Sequence, residues 1–115
     1  MSKREDWVRL RHMLDTGREA LSFVEGQGRP DLDANRTLAL ALVKCIEILG
    51  EAASRVSKET QEKHPAIAWQ KIIGMRNRLI HAYYEINLDL IWNTVTRDLP
   101  HLIGELEKVL PPERP

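Results

Sequence analysis

Leu38-Ala39-Leu40-Ala41-Leu42-Val43-Lys44-Cys45-Ile46-Glu47-Ile48-Leu49-Gly50-Glu51-Ala52-Ala53 is the stretch that decides the fold of this chain. Leu38, Leu42, Cys45, Ile46, Leu49 and Ala53 recur at three- and four-residue spacing, which gathers them on one face of a helix. With Val56 on the same face, the helix is expected from about Ala34 to Val56, opened by Asp31 or Asp33 as N-cap. Gly50, Ala52 and Ala53 carry small side chains or none, so another backbone can approach that end closely.

The same period runs outward in both directions. Upstream, Trp7, Leu10, Leu14, Leu21 and Val24, seconded by Met13, Ala20 and Phe23, predict a helix from Glu5 to Val24, with Arg9, Arg11, Asp15 and Arg18 on its other side. Gly26 to Pro30 ends it in a turn. Downstream, Ser57 is placed to cap a short helical turn before His64-Pro65 breaks the chain. A third major helix is expected from near Ala66 through Trp69, Ile72, Ile73, Leu79 and Ile80. Gly74 lies inside it at a cost of about 1 kcal/mol relative to alanine, which suggests a packing or bending requirement. Asn87 is a cap for the last helix, through Ile91, Val95, Leu99, Leu102, Ile103, Leu106 and Val109. Pro100 should kink or split that helix, and Pro111-Pro112 stops it. No strand-like alternation or hairpin signal competes. The reading is all-α: one domain over 1–115, a bundle of four principal helices plus short helical turns.

Lys and Arg number 17 and so do Asp and Glu, giving a formal net charge of zero. No global basic field therefore drives polyanion binding, and any such contact needs a local patch or two subunits pooling their charges. Lys71, Arg76 and Arg78 supply candidates for the patch. The single cysteine, Cys45, excludes an intramolecular disulfide and sits among apolar neighbours, as a core residue does. His12, His64 and His101 show no metal-ligand spacing with one another or with acids, so neither a metal nor another cofactor is expected. Trp7, Trp69 and Trp92 lie on apolar helical faces and are expected in the core. No apolar run is long enough to span a membrane, and a soluble cytoplasmic protein is the expectation.

Chemistry concentrates in Met75-Arg76-Asn77-Arg78-Leu79-Ile80-His81-Ala82-Tyr83-Tyr84. A fixed cation, an amide, a proton-transfer group and a phenol fall within about two helical turns. These groups suit holding a phosphate and moving a proton beside it. On an ideal helix Tyr83 lies about 20° from Arg76, Tyr84 about 80°, Asn77 about 100° and His81 about 140°. Asn77 and His81 are thus neighbours, whereas Arg76 and His81 do not share a face of one straight helix. Their cooperation needs the arginine's reach, a bend, or a second copy of the helix across a symmetric dimer seam.

The spacing Arg-x-x-x-x-His-x-Tyr, filled by Arg76, His81 and Tyr83, resembles the signature of the HepT toxins of the HEPN ribonuclease superfamily. The Gly50-Glu51-Ala52 step resembles that family's second helix. The stretch from Trp69 to Tyr83 resembles its motif helix, and Asp89 with Trp92 its following segment. The resemblance covers roughly residues 5 to 110. It implies a HEPN-type, dimeric helical bundle that cuts RNA as an endoribonuclease toxin. Arg76 and His81 would be catalytic, with Asn77, Arg78 and Glu51 supporting them or the substrate; Glu51 alternatively flanks a helix–helix contact. It further implies a cognate minimal nucleotidyltransferase as antitoxin, which transfers AMP onto Tyr83. The alternative function is a non-catalytic nucleotide-binding or adaptor subunit that docks a nucleotidyltransferase. The two differ at His81, whose imidazole only the enzyme needs.

Overall fold

The computed structural model describes residues 3–81 and 87–111, with side chains for 4–79 and 87–111. The described residues form helices and connecting turns, with no strand among them. The principal helices are α1 (Lys3–Val24), α3 (Arg36–Arg55) and α5 (Trp69–His81), joined by short α2 (Arg29–Ala34) and α4 (Lys58–Lys63). The fourth principal run is α6 (Leu88–Asn93), a π turn (Thr94–Asp98) and α7 (Leu99–Val109) in direct succession.

Helix α3 is the centre of the bundle, packed on α1 along one flank and on α5 along the other. Helix α7 packs on α1 beside α3, Ile103 and Leu49 meeting at Gly17, and α2 and α6 close one end. Leu42, Cys45, Ile46, Leu49 and Ala53 of α3 are buried, as their period requires. The helix starts later than expected, at Arg36. Its N-cap is Asn35, whose side chain accepts from Leu38 N. Asp31 instead lies inside α2, where its carboxylate accepts from Gly28 N at 2.6 Å. Ser57 and Asn87 cap α4 and α6 as expected, accepting from Thr60 N and Leu90 N.

Three expectations are revised by packing. Trp7 is 42% exposed, because the stripe of α1 that faces the core is Leu10, Met13, Leu14 and Ala20, and Trp7 lies off it. Trp69 is buried, its indole N–H donating to His64 O at 3.0 Å, and α5 starts there rather than near Ala66. Gly74 meets no packing requirement, since a Cβ there would enter open space. Pro100 falls at the start of α7, directly after the π turn, in which Leu99 N donates to Thr94 O. Proline cannot continue the ordinary ladder, and the wider turn absorbs that break without ending the rod. Thr94 and Thr96 add to the distortion by donating their hydroxyls to Leu90 O and Trp92 O.

Candidate active site

The crossing of α3 over α5 sets the position of Arg76. At Gly50 the two helices approach so closely that a Cβ would collide with Arg76 Cβ, come within 2.9 Å of its Cγ and within 3.1 Å of Ile72 O. Only glycine lets α5 lie at that depth. Arg76, half-buried, then reaches the next residue of α3: its Nη2 donates to Glu51 Oε2, and its Nη1 donates to Asn77 Oδ1 at 2.8 Å. Glu51 also accepts from Arg55 Nε at 2.9 Å. The hydrogen bond from Arg55, with the charges of Arg76 and Arg55, holds the Glu51 carboxyl below the usual carboxylate range against a smaller opposing effect of burial. Glu51 therefore stays ionised and fixes both guanidiniums. A guanidinium has five N–H donors, and these two bonds occupy two of those on Arg76.

Arg76 lines a cleft of about 380 Å³ between α1, α3 and α5. From α3 come Lys44, Glu47, Ile48, Glu51 and Arg55, spaced so that they form one stripe, and from α1 come Arg9 and His12. Four permanent cations thus face two carboxylates, and both carboxylates are engaged, Glu51 as above and Glu47 with Lys44 at 3.8 Å. A chain of zero net charge has a local positive field here.

Of the residues expected at the site, the structure brings together Arg76, Asn77 and Glu51. Glu51 both faces the cleft and flanks the α3–α5 contact, so the two readings of it are compatible. Arg78 is not with them: it lines a separate groove of about 510 Å³ against α6 and the π turn, together with Lys71. Lys71 is paired there with Asp98 at 3.1 Å. The expected patch of Lys71, Arg76 and Arg78 is therefore divided between two faces of α5. His81 closes α5, its side chain outside the described residues, and Tyr83 and Tyr84 lie outside them as well. Arg9, His12, Lys44 and Arg55 were not singled out by sequence. The period of α3 does align Lys44, Glu51 and Arg55, yet nothing local marks that stripe as the one facing a cleft.

Cys45 is buried, and its Sγ lies 3.7 Å from Glu19 Oε1. Burial, with the Glu19 charge, pushes the thiol up to about 11, so it is not a nucleophile at neutral pH. Among the described residues no helix is long and apolar enough to cross a membrane.

The described residues thus form a helical bundle with a clamped arginine on the helix that ends at His81. The HepT-like ribonuclease family model matches residues 13–109, and the chain belongs to that family. It is 34% identical to a "Putative RNase" of Caldanaerobacter subterraneus subsp. tengcongensis, over 91% of this chain and 94% of that protein. It is 31% identical to a "Putative RNase" of Methanocaldococcus jannaschii, over 95% of this chain and 100% of that protein. With a "Probable ribonuclease HepT" of Thermococcus cleftensis it shares 33% identity, over 79% of this chain and 86% of that protein. No solved structure matches the chain.

Proposed function

We propose that the chain is a metal-independent endoribonuclease toxin in which Arg76 and His81 carry the chemistry. The observation that supports this most directly is the Arg76 guanidinium, fixed by Glu51 and Asn77 at the wall of a positive cleft with donors to spare. RNA brings its own nucleophile, the 2′-OH, so the site needs a base, a fixed charge and an acid. Imidazole suits the role of base near neutral pH, and His81 removes the 2′-OH proton. The 2′-oxygen attacks phosphorus, and Arg76 meets the charge on the phosphorane oxygens. The P–O5′ bond breaks, the 5′-oxygen takes a proton from an imidazolium, and a 2′,3′-cyclic phosphate is left.

The about 140° between Arg76 and His81 on one helix favours a homodimer, in which two copies of α5 complete each other's sites and one histidine serves as base while the other serves as acid. Arg78, turned away from Arg76 within one chain, would contact RNA or the partner subunit's cleft. Tyr83 is the control point: a cognate minimal nucleotidyltransferase transfers AMP to its phenol, and the adenylate phosphate competes for Arg76.

The decisive experiment is incubation of the purified protein with RNA in excess EDTA. Cleavage leaving cyclic phosphate ends is expected. Cutting that disappears in EDTA and returns with magnesium would reject the metal-free mechanism. A protein that cuts no RNA yet binds a nucleotidyltransferase equally well as His81→Ala would be an adaptor. A strict monomer by light scattering at micromolar concentration would reject the shared site. Peptide mass spectrometry after co-expression with the nucleotidyltransferase should find AMP on Tyr83; AMP found solely on Tyr84 would reject that assignment.

A further inference from the structure

The cleft at Arg76 continues beyond the motif helix. Its opposite wall is α1, and His12 on that wall also borders a shallow apolar dish of about 440 Å³ formed by Arg4, Trp7, Val8 and Arg11. We infer that the exposed face of α1 extends the nucleotide site, with Arg9 at one edge binding a phosphate neighbouring the one at Arg76 and Trp7 at the other edge stacking a base further along the strand. The inference rests on the reading of the cleft as an RNA site and extends it along the strand.

Three observations carry it. The Nε of Arg9 is buried without a hydrogen-bond partner among the described residues, although it belongs to a guanidinium at the cleft wall. A buried donor left unsatisfied is costly, and turning the guanidinium outward onto an anion in the cleft removes that cost. Secondly, both cleft carboxylates are held by other cations, Glu47 by Lys44 and Glu51 by Arg55 and Arg76, so the α1 wall keeps its positive charge. Thirdly, Trp7 and Val8 are 42% and 45% exposed, an indole at the surface of a dish whose lining, among the described residues, includes cationic side chains and no carboxylate.

An exposed aromatic face beside cations is the arrangement that binds single-stranded nucleic acid without reading sequence: the rings stack bases and the cations follow the backbone. A second copy of this chain suits the dish less well. A two-fold contact centred on Trp7 would set Arg4 and Arg11 of one copy against those of the other. Because His12 lines both depressions, a strand leaving Arg76 passes Arg9, crosses the exposed face of α1 at His12 and arrives at Trp7.

The test uses the full chain and a short fluorescein-labelled 2′-O-methyl oligonucleotide, which binds but lacks the nucleophile for cleavage. Arg9→Ala is expected to weaken its affinity about tenfold and to lower the slope of log affinity against log salt by about one. Arg9→Lys should keep most of that slope. Trp7→Ala is expected to cost about tenfold, the scale of one stacked base, while Trp7→Phe stays near the parent. Oligonucleotide should quench the fluorescence of the parent and quench Trp7→Phe far less. If the parent binds and the variants weaken as described while no RNA is ever cut, the proposed chemistry falls and the subsite stands. If Arg9→Ala and Trp7→Ala bind like the parent, or the parent binds no oligonucleotide, the subsite is rejected whatever the catalysis. If Trp7→Ala alters sedimentation as a dimer and leaves oligonucleotide affinity unchanged, the face is a subunit contact and the inference is overturned.

Discussion

Gly50 lies directly against Arg76: a Cβ at position 50 would occupy the space of the arginine's own Cβ. The absence of one methyl group on α3 therefore fixes both the depth of the α5 crossing and the reach of Arg76 to Glu51. Gly50→Ala must push the helices apart, and overpacking of this kind costs about 1–3 kcal/mol. It should lower Tm and cut RNA cleavage together. Gly74→Ala is the matched control on α5. Its Cβ meets open space, and the gain in helix propensity should raise stability by up to about 1 kcal/mol. Thermal unfolding of the two variants checks the opposite signs.

Arg76→Ala and His81→Ala are each expected to lower cleavage by about 10²–10⁴ while leaving helicity intact. Arg76→Ala keeps the Cβ that packs on Gly50, and Glu51 keeps Arg55 as a partner, so no carboxylate is stranded. Arg76→Lys should restore little, because an ammonium cannot donate to Glu51, Asn77 and a phosphate in the fixed geometry of a guanidinium. Single-turnover rates on one RNA, with circular dichroism of each variant, are the measurement.

Asp6 is buried at 4% exposure and ties the start of α1 to the cap of α4. It accepts from Ser57 N at 2.9 Å, Ser57 Oγ at 2.6 Å and Thr60 Oγ1 at 2.5 Å. Burial alone would raise its pKa, but the hydrogen bonds from Ser57 and Thr60 outweigh it and hold the carboxyl below its ordinary 3.8. With the folded pKa depressed, the stabilisation is fully present above the unfolded value and is lost as pH falls through the folded one. Asp6→Asn should cost about 1.5–3 kcal/mol at neutral pH. Urea unfolding at pH 7 and pH 3 should show the difference between parent and variant shrinking in acid.

Cys45 should resist alkylation in the native protein. With its thiol at about 11, roughly one molecule in a thousand carries the thiolate at pH 8, and the side chain is buried on α3. Mass spectrometry after iodoacetamide treatment should show modification in denaturant and almost none without it. Rapid native labelling would mean that α3 opens locally.

The sequence by itself determined the principal helices (though not the short α2), the caps at Ser57 and Asn87, the break demanded by Pro100, the small-residue step at Gly50 and the grouping of Arg76, Asn77 and His81 on one segment. These follow from forces acting over one to four residues: side-chain period, cap hydrogen bonds, the missing N–H of proline. The tertiary structure decided everything that depends on how one helix is turned against another. Trp7 shares the apolar spacing of α1, yet the rotation that buries Leu10, Met13 and Leu14 leaves it in solvent. Gly50 and Gly74 look alike along the chain, and only the α3–α5 crossing makes the first indispensable and the second idle. Lys71 and Arg78 stand near Arg76 in sequence but face another groove, whereas Arg9, His12, Lys44 and Arg55 stand far from it and share its cleft. A helix presents several faces at once, and nothing within its own turns says which face another segment will meet; that is fixed by the packing of residues distant in the chain.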